Sequence, residues 1–300
     1  MADEKLWTVR DVLDAARDFL GKRGVDNPRL DAELLLAHGL GVRRIDLYLQ
    51  FDRPLGDEER AIFRLLLRRR GEREPVAYLT GHREFFGFPF EVSPEVLIPR
   101  PETELLVELV LRHAPQDLRM LDLCTGSGCV AIAVLAQRSL ARAVAVDISP
   151  GALQVARRNA QVNGVAERLQ LVRGDLAEAL RGPLDVVVAN PPYVTEDEWP
   201  SLAPEIRQHE PRLALTSAQG GLAHSRRIAA WLARHLSPTG MAAVECADSR
   251  GPATREVFAE VLGDRFPVVL ERDLAGLDRV VRVGPVADPG SSTGSAEDSA

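Results

Sequence analysis

Apolar residues recur at helical spacing in the first part of the chain. Three groups can be traced: Leu13, Ala16, Phe19 and Leu20; Leu30, Leu34, Leu35 and Leu36; and Ile62, Phe63, Leu66 and Leu67. Each group places its side chains along one face of a helix, and Thr8 is a suitable N-cap for the first helix. The pattern predicts a small helical-bundle domain in residues 1–75.

The pattern changes after Pro75, where aromatic residues are mixed with turn residues. Residues 77–81 read Ala-Tyr-Leu-Thr-Gly, and residues 84–92 read Glu-Phe-Phe-Gly-Phe-Pro-Phe-Glu-Val. This composition favours short strands joined by a tight turn. Residues 76–96 are therefore predicted to form a β-hairpin that links two domains.

Beyond Pro101, short apolar runs alternate with helical stretches, as is typical of parallel βαβ units. Seven runs are predicted as strands, at 118–123, 143–147, 169–173, 185–189, 241–245, 268–270 and 280–283. Helices are predicted over 130–137, 150–164, 222–235 and 254–262, with Ser149 as the N-cap of the second. These elements predict an α/β domain over 97–285. Residues 286–300, rich in Ser, Gly, Ala and acid, are expected to be a disordered tail.

Composition excludes several classes of protein. With 300 residues, of which 45% are hydrophobic and 27% charged, the chain is typical of globular proteins and not of disordered or fibrous ones. No run approaches the roughly 18 apolar residues of a membrane span, and the acidic start at Asp3 and Glu4 is unlike a signal peptide. A cytoplasmic location is expected. Cys124, Cys129 and Cys246 lack disulfide or zinc spacing and are expected to be reduced thiols.

The charge balance argues against binding to nucleic acid. The formal net charge is −7, and residues 1–100 hold 17 basic and 18 acidic residues, so neither part of the chain is a polycation. Arginines between Arg64 and Arg73 form a local basic run, but nearby acidic residues favour a solvated helix face. We expect no direct nucleic-acid binding and no membrane partner.

A glycine-containing turn, Cys124-Thr125-Gly126-Ser127-Gly128, separates the first strand of the α/β domain from its helix. There the backbone can approach a ligand closely, and the helix N-terminus offers free N–H groups. Asp147 ends the next strand, where its carboxylate can accept hydrogen bonds from both ribose hydroxyls. Asp175-Leu176 follows the third strand, where Asp175 can accept a hydrogen bond from an adenine amine.

The spacing of this turn indicates which cofactor is bound. It reads Asp-x-Cys-x-Gly-x-Gly and not the Gly-x-Gly-x-x-Gly of dinucleotide-binding oxidoreductases. Capping of a strand end would explain Asp147 or Asp175 alone, but their joint position at successive strand ends favours a ligand. The pattern indicates S-adenosyl-L-methionine rather than NAD.

The second motif is Asn190-Pro191-Pro192-Tyr193, which follows the strand at 185–189. A planar NH₂ group is a poor nucleophile because its lone pair is delocalised, so catalysis must hold that group in place. The Asn190 side-chain oxygen and the Pro191 carbonyl can each accept a hydrogen bond from one N–H of the NH₂ group, while Tyr193 packs against the plane of that group. The same oxygens stabilise the positive charge that develops on nitrogen, and the reaction requires neither a metal nor a general base.

This motif and residues 97–104, Leu-Ile-Pro-Arg-Pro-Glu-Thr-Glu, together resemble the peptide chain release factor glutamine methyltransferases. That family modifies the glutamine of the Gly-Gly-Gln motif in class I release factors. Further similar segments lie at 27–38, 78–81, 85–87, 210–215 and 273–280, so the resemblance covers nearly everything before the tail. It implies a Rossmann-like, seven-stranded S-adenosyl-L-methionine-dependent methyltransferase domain, preceded by a helical domain that helps to dock the release factor.

The resemblance also implies roles for individual residues. Residues 124–128 and Asp147 hold the cofactor, Asn190 contacts both ligands, and residues 190–193 clasp the glutamine amide. Phe85 and Phe86 either wall the active site or pack between the hairpin and the domain. Arg100 and Glu102 either order the pocket or pair with each other.

Three positions depart from the family pattern. Cys124 stands where the family often has glycine, which raises the question of whether its thiol can be oxidised. The loop at 245–249 lacks the glycine and glutamine that commonly follow that strand, and the loop at 216–221 departs from the more usual glycine and aspartate pattern, so both bear on the details of substrate docking.

Three other functions are compatible with parts of the sequence. A methyltransferase acting on adenine or another exocyclic amine of nucleic acid would use the same Asn190 motif, but it would also need a basic channel. A non-catalytic S-adenosyl-L-methionine-binding partner module would not need an intact motif at 190–193. An NAD-dependent oxidoreductase would need the dinucleotide glycine spacing. The sequence therefore favours a protein-(glutamine-N5) methyltransferase.

Overall fold

The computed structural model describes residues 6–178, 180 and 184–284, so the tail predicted over 286–300 lies outside the described residues. Five helices form the first part of the chain: α1 (Val9–Lys22), α2 (Pro28–Leu40), α3 (Arg44–Tyr48), α4 (Asp57–Gly71) and α5 (Val76–Thr80). The three predicted helices correspond to α1, α2 and α4. The two five-residue helices α3 and α5 are too short to show a helical period.

The first helices form where capping and apolar spacing agree. The Thr8 hydroxyl accepts a hydrogen bond from the Asp11 N–H at 3.2 Å, and the Asp11 carboxylate accepts one from the Thr8 N–H at 3.0 Å. This reciprocal cap confirms Thr8 as the N-cap of α1. Leu13, Leu36 and Phe63 are buried in one apolar cluster shared by α1, α2 and α4, so the predicted bundle is confirmed.

The linking segment is a hairpin preceded by a helix. Strands β1 (His82–Phe85) and β2 (Phe88–Glu91) pair antiparallel, with Phe85 opposite Phe88. Phe86 and Gly87 both have positive φ, as a tight turn whose twist matches its strands requires. The prediction that the hairpin begins at residue 76 was wrong, because residues 76–80 form α5 and Gly81 ends it with φ 76°.

The rest of the chain is a seven-stranded sheet with helices on both faces. Its strands are β3 (Arg119–Leu123), β4 (Arg142–Asp147), β5 (Leu169–Arg173), β6 (Leu184–Ala189), β7 (Leu236–Glu245), β8 (Val268–Arg272) and β9 (Asp278–Val283). The helices are α6 (Glu104–His113), α7 (Cys129–Gln137), α8 (Pro150–Val162), α9 (Pro204–His209), α10 (Ala223–His235) and α11 (Gly251–Leu262). All seven predicted strands are confirmed, whereas α6 and α9 were not predicted.

The strand order creates a crevice at one edge of the sheet. The order is β5-β4-β3-β6-β7-β9-β8, with only β9 antiparallel to its neighbours. The chain winds outward from β3 to β5 and then returns to place β6 on the other side of β3. Such a reversal leaves an open space beyond the carboxyl ends of the two central strands. In the described part of the chain, no helix has the length and apolar character needed to cross a bilayer.

Ion pairs attach the helical bundle to the segment that follows β6. Arg70 of α4 is buried between Asp31, at 2.6 Å, and Glu205 of α9, at 2.9 Å. Arg73 contacts the second oxygen of Glu205 at 2.8 Å. Removing either partner of such a buried pair would leave an uncompensated charge, so the ion pairs fix the two segments relative to each other. The bundle therefore braces the chain that leaves the sheet beside the crevice.

A second ion pair fixes the other end of that segment. The Arg100 guanidinium lies 2.5 Å from a Glu210 oxygen, and the other Glu210 oxygen accepts a hydrogen bond from the Ile98 N–H at 3.2 Å. Of the two alternatives for Arg100, pairing with Glu102 is not what the structure shows. Arg100 instead orders the chain around the crevice through Glu210.

Candidate active site

A cavity of about 420 Å³ occupies the crevice beyond β3, β4, β5 and β6. This volume suits a ligand of nucleoside size. The predicted ligand-binding residues that line it are Cys124, Thr125, Gly126, Ser127, Asp147, Asp175, Leu176, Asn190 and Pro192. Gly128, Pro191, Tyr193 and Phe86 are outside this lining. The topology thus brings most of the predicted cofactor residues together, although they lie up to 66 residues apart in sequence.

Asp147 is held in a fixed orientation at the end of β4. One carboxylate oxygen accepts a hydrogen bond from the Gly126 N–H at 2.9 Å, and the other accepts one from the Ser149 N–H at 2.9 Å. Burial raises the pKa of Asp147, and the N–H groups of Ser149, Gly126 and Ile148 oppose that rise. Each carboxylate oxygen can accept a further hydrogen bond, so two acceptors remain available to a diol in the cavity.

Asp175 is more exposed than Asp147 and has a charged partner. Its carboxylate lies 2.9 Å from the Arg227 guanidinium of α10, and about half of its side chain is accessible to solvent. Leu176 beside it is buried and has φ 51°. Arg227 also lines the cavity, so Asp175 can accept a hydrogen bond from a ligand only alongside this ion pair.

The backbone at Cys124 explains why glycine is frequent there. Cys124 has φ 58°, a left-handed conformation that glycine adopts without cost. Burial raises the pKa of its thiol, and the carboxyl groups of Asp147 and Asp122 raise it further. The thiolate is the form that reacts with oxidants. A neutral thiol in this setting argues against ready oxidation of Cys124.

Gly126 and Gly128 have different roles in the turn. A Cβ atom at Gly128 would lie 2.8 Å from Ile132 Cδ1 and 3.2 Å from Ala156 Cβ, whereas one at Gly126 would meet no protein atom within 4 Å. Gly128 therefore allows α7 and α8 to pack closely, and Gly126 leaves space in the cavity.

We expect alanine at Gly128 to affect mainly stability and alanine at Gly126 to affect mainly ligand binding. Gly128→Ala should lower the free energy of unfolding by about 2 kcal/mol, because it combines a clash with φ 82°. Gly126→Ala should cost about 1 kcal/mol of stability but should weaken binding of S-adenosylhomocysteine about tenfold, since its methyl group enters the cavity. Denaturant unfolding and titration calorimetry measure both effects. Equal binding losses in the two variants would contradict this division.

The turn after Asn190 is held by contacts to several of its carbonyl groups. His224 of α10 hydrogen-bonds the backbone of Pro192, and the Ser217 N–H donates to the Val194 carbonyl at 2.8 Å. A Cβ at Gly221 would lie 2.5 Å from the Tyr193 carbonyl oxygen, so glycine permits this close packing. Among the described residues none donates to the Pro191 carbonyl. One backbone acceptor of the turn therefore stays available beside Asn190.

The side chain of Asn190 is oriented by a neighbour. Its Nδ2 donates to the Thr103 hydroxyl at 3.2 Å. Because one end of the amide is used in this way, the acceptor Oδ1 is left for another partner. The loop at 216–221, which departs from the family pattern, packs on the same turn: the Ser217 hydroxyl lies 2.9 Å from His224 Nδ1.

The aromatic residues lie outside the cavity lining. Tyr193 is partly buried beside Glu245, and both burial and that carboxyl raise the pKa of its phenol, which stays neutral. Phe85 is buried in the core, edge-on to Phe90, so packing is what the structure shows for it. Phe86 packs on the same core, and its N–H donates to Glu104 Oε1 at 2.8 Å. A role for Phe86 in contacting substrate stays a prediction.

Four residues near the cavity were not anticipated: Thr103, His224, Arg227 and Glu245. Arg227 and His224 lie within a predicted helix, where a sequence alone does not reveal which face meets a ligand. Thr103 lies in segment 97–104, which carries part of the family resemblance, but no feature of that segment marked Thr103 as a site residue. Glu245 carried a usable signal, because a charged residue closes the otherwise apolar strand at 241–245.

Comparison with known proteins identifies the family. The family model "PrmC N-terminal domain" matches residues 11–81, and "Methyltransferase small domain" matches residues 101–212. The release factor glutamine methyltransferase of Geobacter sulfurreducens is 42% identical over 284 residues, which cover 93% of this chain and 98% of that protein. The chain belongs to the release factor glutamine methyltransferase family. The family member of Chlorobaculum tepidum is 41% identical and covers 93% of this chain and 98% of its own.

Solved structures agree with the fold of this family member. A methyltransferase from Pyrococcus furiosus superposes with a TM-score of 0.50 at 19% identity, covering 66% of this chain and 89% of that one. The hMettl16 catalytic domain in complex with MAT2A 3′UTR hairpin 6 gives a TM-score of 0.54 at 14% identity, covering 71% of this chain and 81% of that one. At such low identity these likenesses show a shared methyltransferase fold, and the expected α/β class is confirmed.

Proposed function

We propose that the protein transfers a methyl group from S-adenosyl-L-methionine to the side-chain amide nitrogen of the Gly-Gly-Gln glutamine in class I peptide chain release factors. The observation that carries this proposal is the position of Asn190. Its side chain lines the cavity, directly after β6, with its amide held by Thr103. Membership of the family favours a glutamine amide over the exocyclic amine of a nucleic acid.

The residues around the cavity fit S-adenosyl-L-methionine. The Asp147 carboxylate is fixed by two backbone N–H groups and keeps two acceptor sites, as a ribose diol requires. Gly126 leaves open space, and Asp175 offers an acceptor for an amine near the third strand end. When bound, S-adenosyl-L-methionine supplies an electrophilic methyl group on a sulfonium sulfur. We assign residues 124–128, Asp147, Asp175, Leu176 and Asn190 to holding it, with Gly128 acting through the packing of α7.

The motif at 190–193 acts on the glutamine amide. Asn190 Oδ1 and the Pro191 carbonyl accept hydrogen bonds from the two N–H groups of the glutamine amide and hold its nitrogen in one orientation. As the nitrogen becomes cationic, both oxygens stabilise that charge more strongly than they stabilise the neutral amide. The nitrogen then releases one proton to solvent water, which leaves the neutral N-methyl amide. Pro192 and its contact with His224 keep the turn rigid, and Tyr193 packs beside the planar group. We retain Phe86 as a further substrate contact.

The helical bundle over 1–75 has a place in this proposal as a docking domain. Its Arg70 and Arg73 hold Glu205, in the segment that leaves the catalytic turn. The bundle is thus anchored to the segment that follows Asn190, and we propose that a release factor docks on it beside the cavity. The linking segment over 76–96, which holds α5 and the β1–β2 hairpin, and the methyltransferase domain over 97–285 complete the domain arrangement that we propose. Because release factors act in translation, we place the protein in the cytoplasm.

Methyl incorporation into a purified class I release factor tests the proposed function. Labelled S-adenosyl-L-methionine should transfer its label to the glutamine of Gly-Gly-Gln, located by peptide mass mapping, and a Gly-Gly-Ala release factor should take up none. If no label is transferred although S-adenosylhomocysteine binds, the substrate assignment is wrong. Nucleic acid carrying exocyclic amines is then the next substrate to assay.

A further inference from the structure

A chain of buried polar groups lies behind Asn190. Thr103 is 2% exposed and Glu245 is 3% exposed. The Thr103 hydroxyl accepts a hydrogen bond from Asn190 Nδ2 at 3.2 Å and also shares one with the Glu245 carboxyl. The sheet register makes this possible, because Ala189, just before Asn190, pairs with Val244, just before Glu245.

The number of protons available to these three side chains decides which group donates in each hydrogen bond. A threonine hydroxyl has one proton to donate, and an ionised carboxylate can only accept. When the Thr103 proton goes to Glu245, the Thr103 oxygen can only accept from Asn190, so Asn190 must turn its NH₂ end toward it. The Asn190 oxygen then points to the opposite side of the amide. In that orientation it can accept from a substrate N–H.

We propose that Thr103 and Glu245 are positioning residues that fix the Asn190 amide with its oxygen, rather than its NH₂ group, toward the substrate amide. This inference rests on the proposed function and adds to it. Thr103 and Glu245 touch Asn190 or each other, and neither has to touch the reacting atoms. The reverse orientation would set two donors of Asn190 against the donors of the glutamine NH₂ and would lose the acceptor that the reaction needs.

The charge on Glu245 makes this orientation sensitive to pH. Burial raises the pKa of Glu245 to about 7, and its Oε2 has no hydrogen-bond partner among the described residues. The titratable and charged groups around it are Glu102, Arg100, Arg279, Tyr193, Cys129 and Cys246. Glu102 raises the pKa of Glu245, whereas Arg279, Arg100 and the hydrogen bond from Thr103 lower it.

Protonation of Glu245 reverses the chain of hydrogen bonds. A neutral carboxyl can donate to the Thr103 oxygen, which frees the Thr103 proton to donate to Asn190 Oδ1 and allows the amide to flip. The active orientation therefore requires ionised Glu245, which prevails above its pKa. Turnover should rise as pH increases through about 7. Burial lowers the pKa of His224, the nearby histidine of the cavity, so its shift is opposite in direction to that of Glu245.

Threonine variants test the geometry. Thr103→Val should lower kcat for the release factor about tenfold, the effect of losing roughly one hydrogen bond in the transition state. Thr103→Ser keeps the hydroxyl and should restore kcat to within about twofold. The Kd of S-adenosylhomocysteine should change little in either variant, whereas the Tm should fall in Thr103→Val, which leaves the buried Glu245 carboxyl without its donor, and stay near the wild-type value in Thr103→Ser. Thr80→Val removes a hydroxyl that, among the residues the structure describes, bonds only to nearby backbone carbonyls; it is the matched control and should keep wild-type kcat.

The Glu245→Gln variant tests which group donates in the hydrogen bonds between Glu245, Thr103 and Asn190. Glu245→Gln cannot ionise, so its kcat should be independent of pH between about 6 and 8, where the wild-type kcat should rise. A wild-type acid limb that persists in Glu245→Gln overturns the inference. So does a Thr103→Ser variant as impaired as Thr103→Val. If the wild-type enzyme transfers no methyl group to glutamine, the proposed function itself fails, which is a separate result.

Discussion

Replacing Asn190 with alanine is expected to lower kcat for release factor methylation about 10²–10³-fold, while the Kd for S-adenosylhomocysteine changes by less than about threefold. The physical reason is that Oδ1 gains its importance as positive charge develops on the glutamine nitrogen. An acceptor fixed in advance is worth far more at that moment than in the ground state. Single-turnover methylation and titration calorimetry measure the two quantities separately.

The separation between turnover and binding is what makes this prediction specific. Asn163, at the end of α8, donates to the carbonyls of Pro89 and Asn159 and does not line the cavity, so Asn163→Ala is a matched control. It should keep wild-type kcat. If Asn190→Ala turns over as fast as the wild type, the catalytic role of this side chain is refuted. If kcat is kept and only cofactor binding is lost, Asn190 is a cofactor ligand alone.

Much of the fold followed from local patterns in the sequence. The strand predicted at 185–189 rests on the apolar run 186–189, and the one at 169–173 on Leu169, Leu171 and Val172; the structure places β5 and β6 there to within one residue. The capping residues Thr8 and Ser149 marked true helix starts. Helix α6 was missed because it directly follows a proline-rich segment that looks like a loop, although Leu106, Val107 and Val110 are fully buried on it.

Only those residues of the candidate site that lie at the carboxyl ends of strands could be predicted from the sequence. Asp147 ends β4 and Asn190 directly follows β6, and parallel strands bring their carboxyl ends to one edge of the sheet. Thr103 and Glu245 hydrogen-bond behind Asn190 through a contact between an early segment and β7, separated by 142 residues. No periodicity encodes such a pairing. It depends on strand register, which a sequence leaves open.

Replacing Asp147 with alanine is expected to raise the Kd of S-adenosylhomocysteine about 100-fold. Two contributions add up. The ribose loses an ionised acceptor, and the Gly126 and Ser149 N–H groups lose the carboxylate that fixes the turn around the ligand. Hydrogen bonds to charged groups are worth about 1.5–3 kcal/mol each, so losing one or two of them accounts for this change. Titration calorimetry measures Kd, and thermal unfolding without ligand shows whether the fold is retained.

Asp175→Ala is the informative comparison for this prediction. The Asp175 carboxylate is half exposed and already paired with Arg227, so its loss should raise Kd only about three- to fivefold. The two aspartates end neighbouring strands, yet burial and fixed orientation make Asp147 the stronger acceptor. Equal losses in the two variants would show that Arg227 does not compete with the ligand for Asp175. An unchanged Kd in Asp147→Ala would remove the ribose from the end of β4, and the cofactor would then have to lie elsewhere in the cavity.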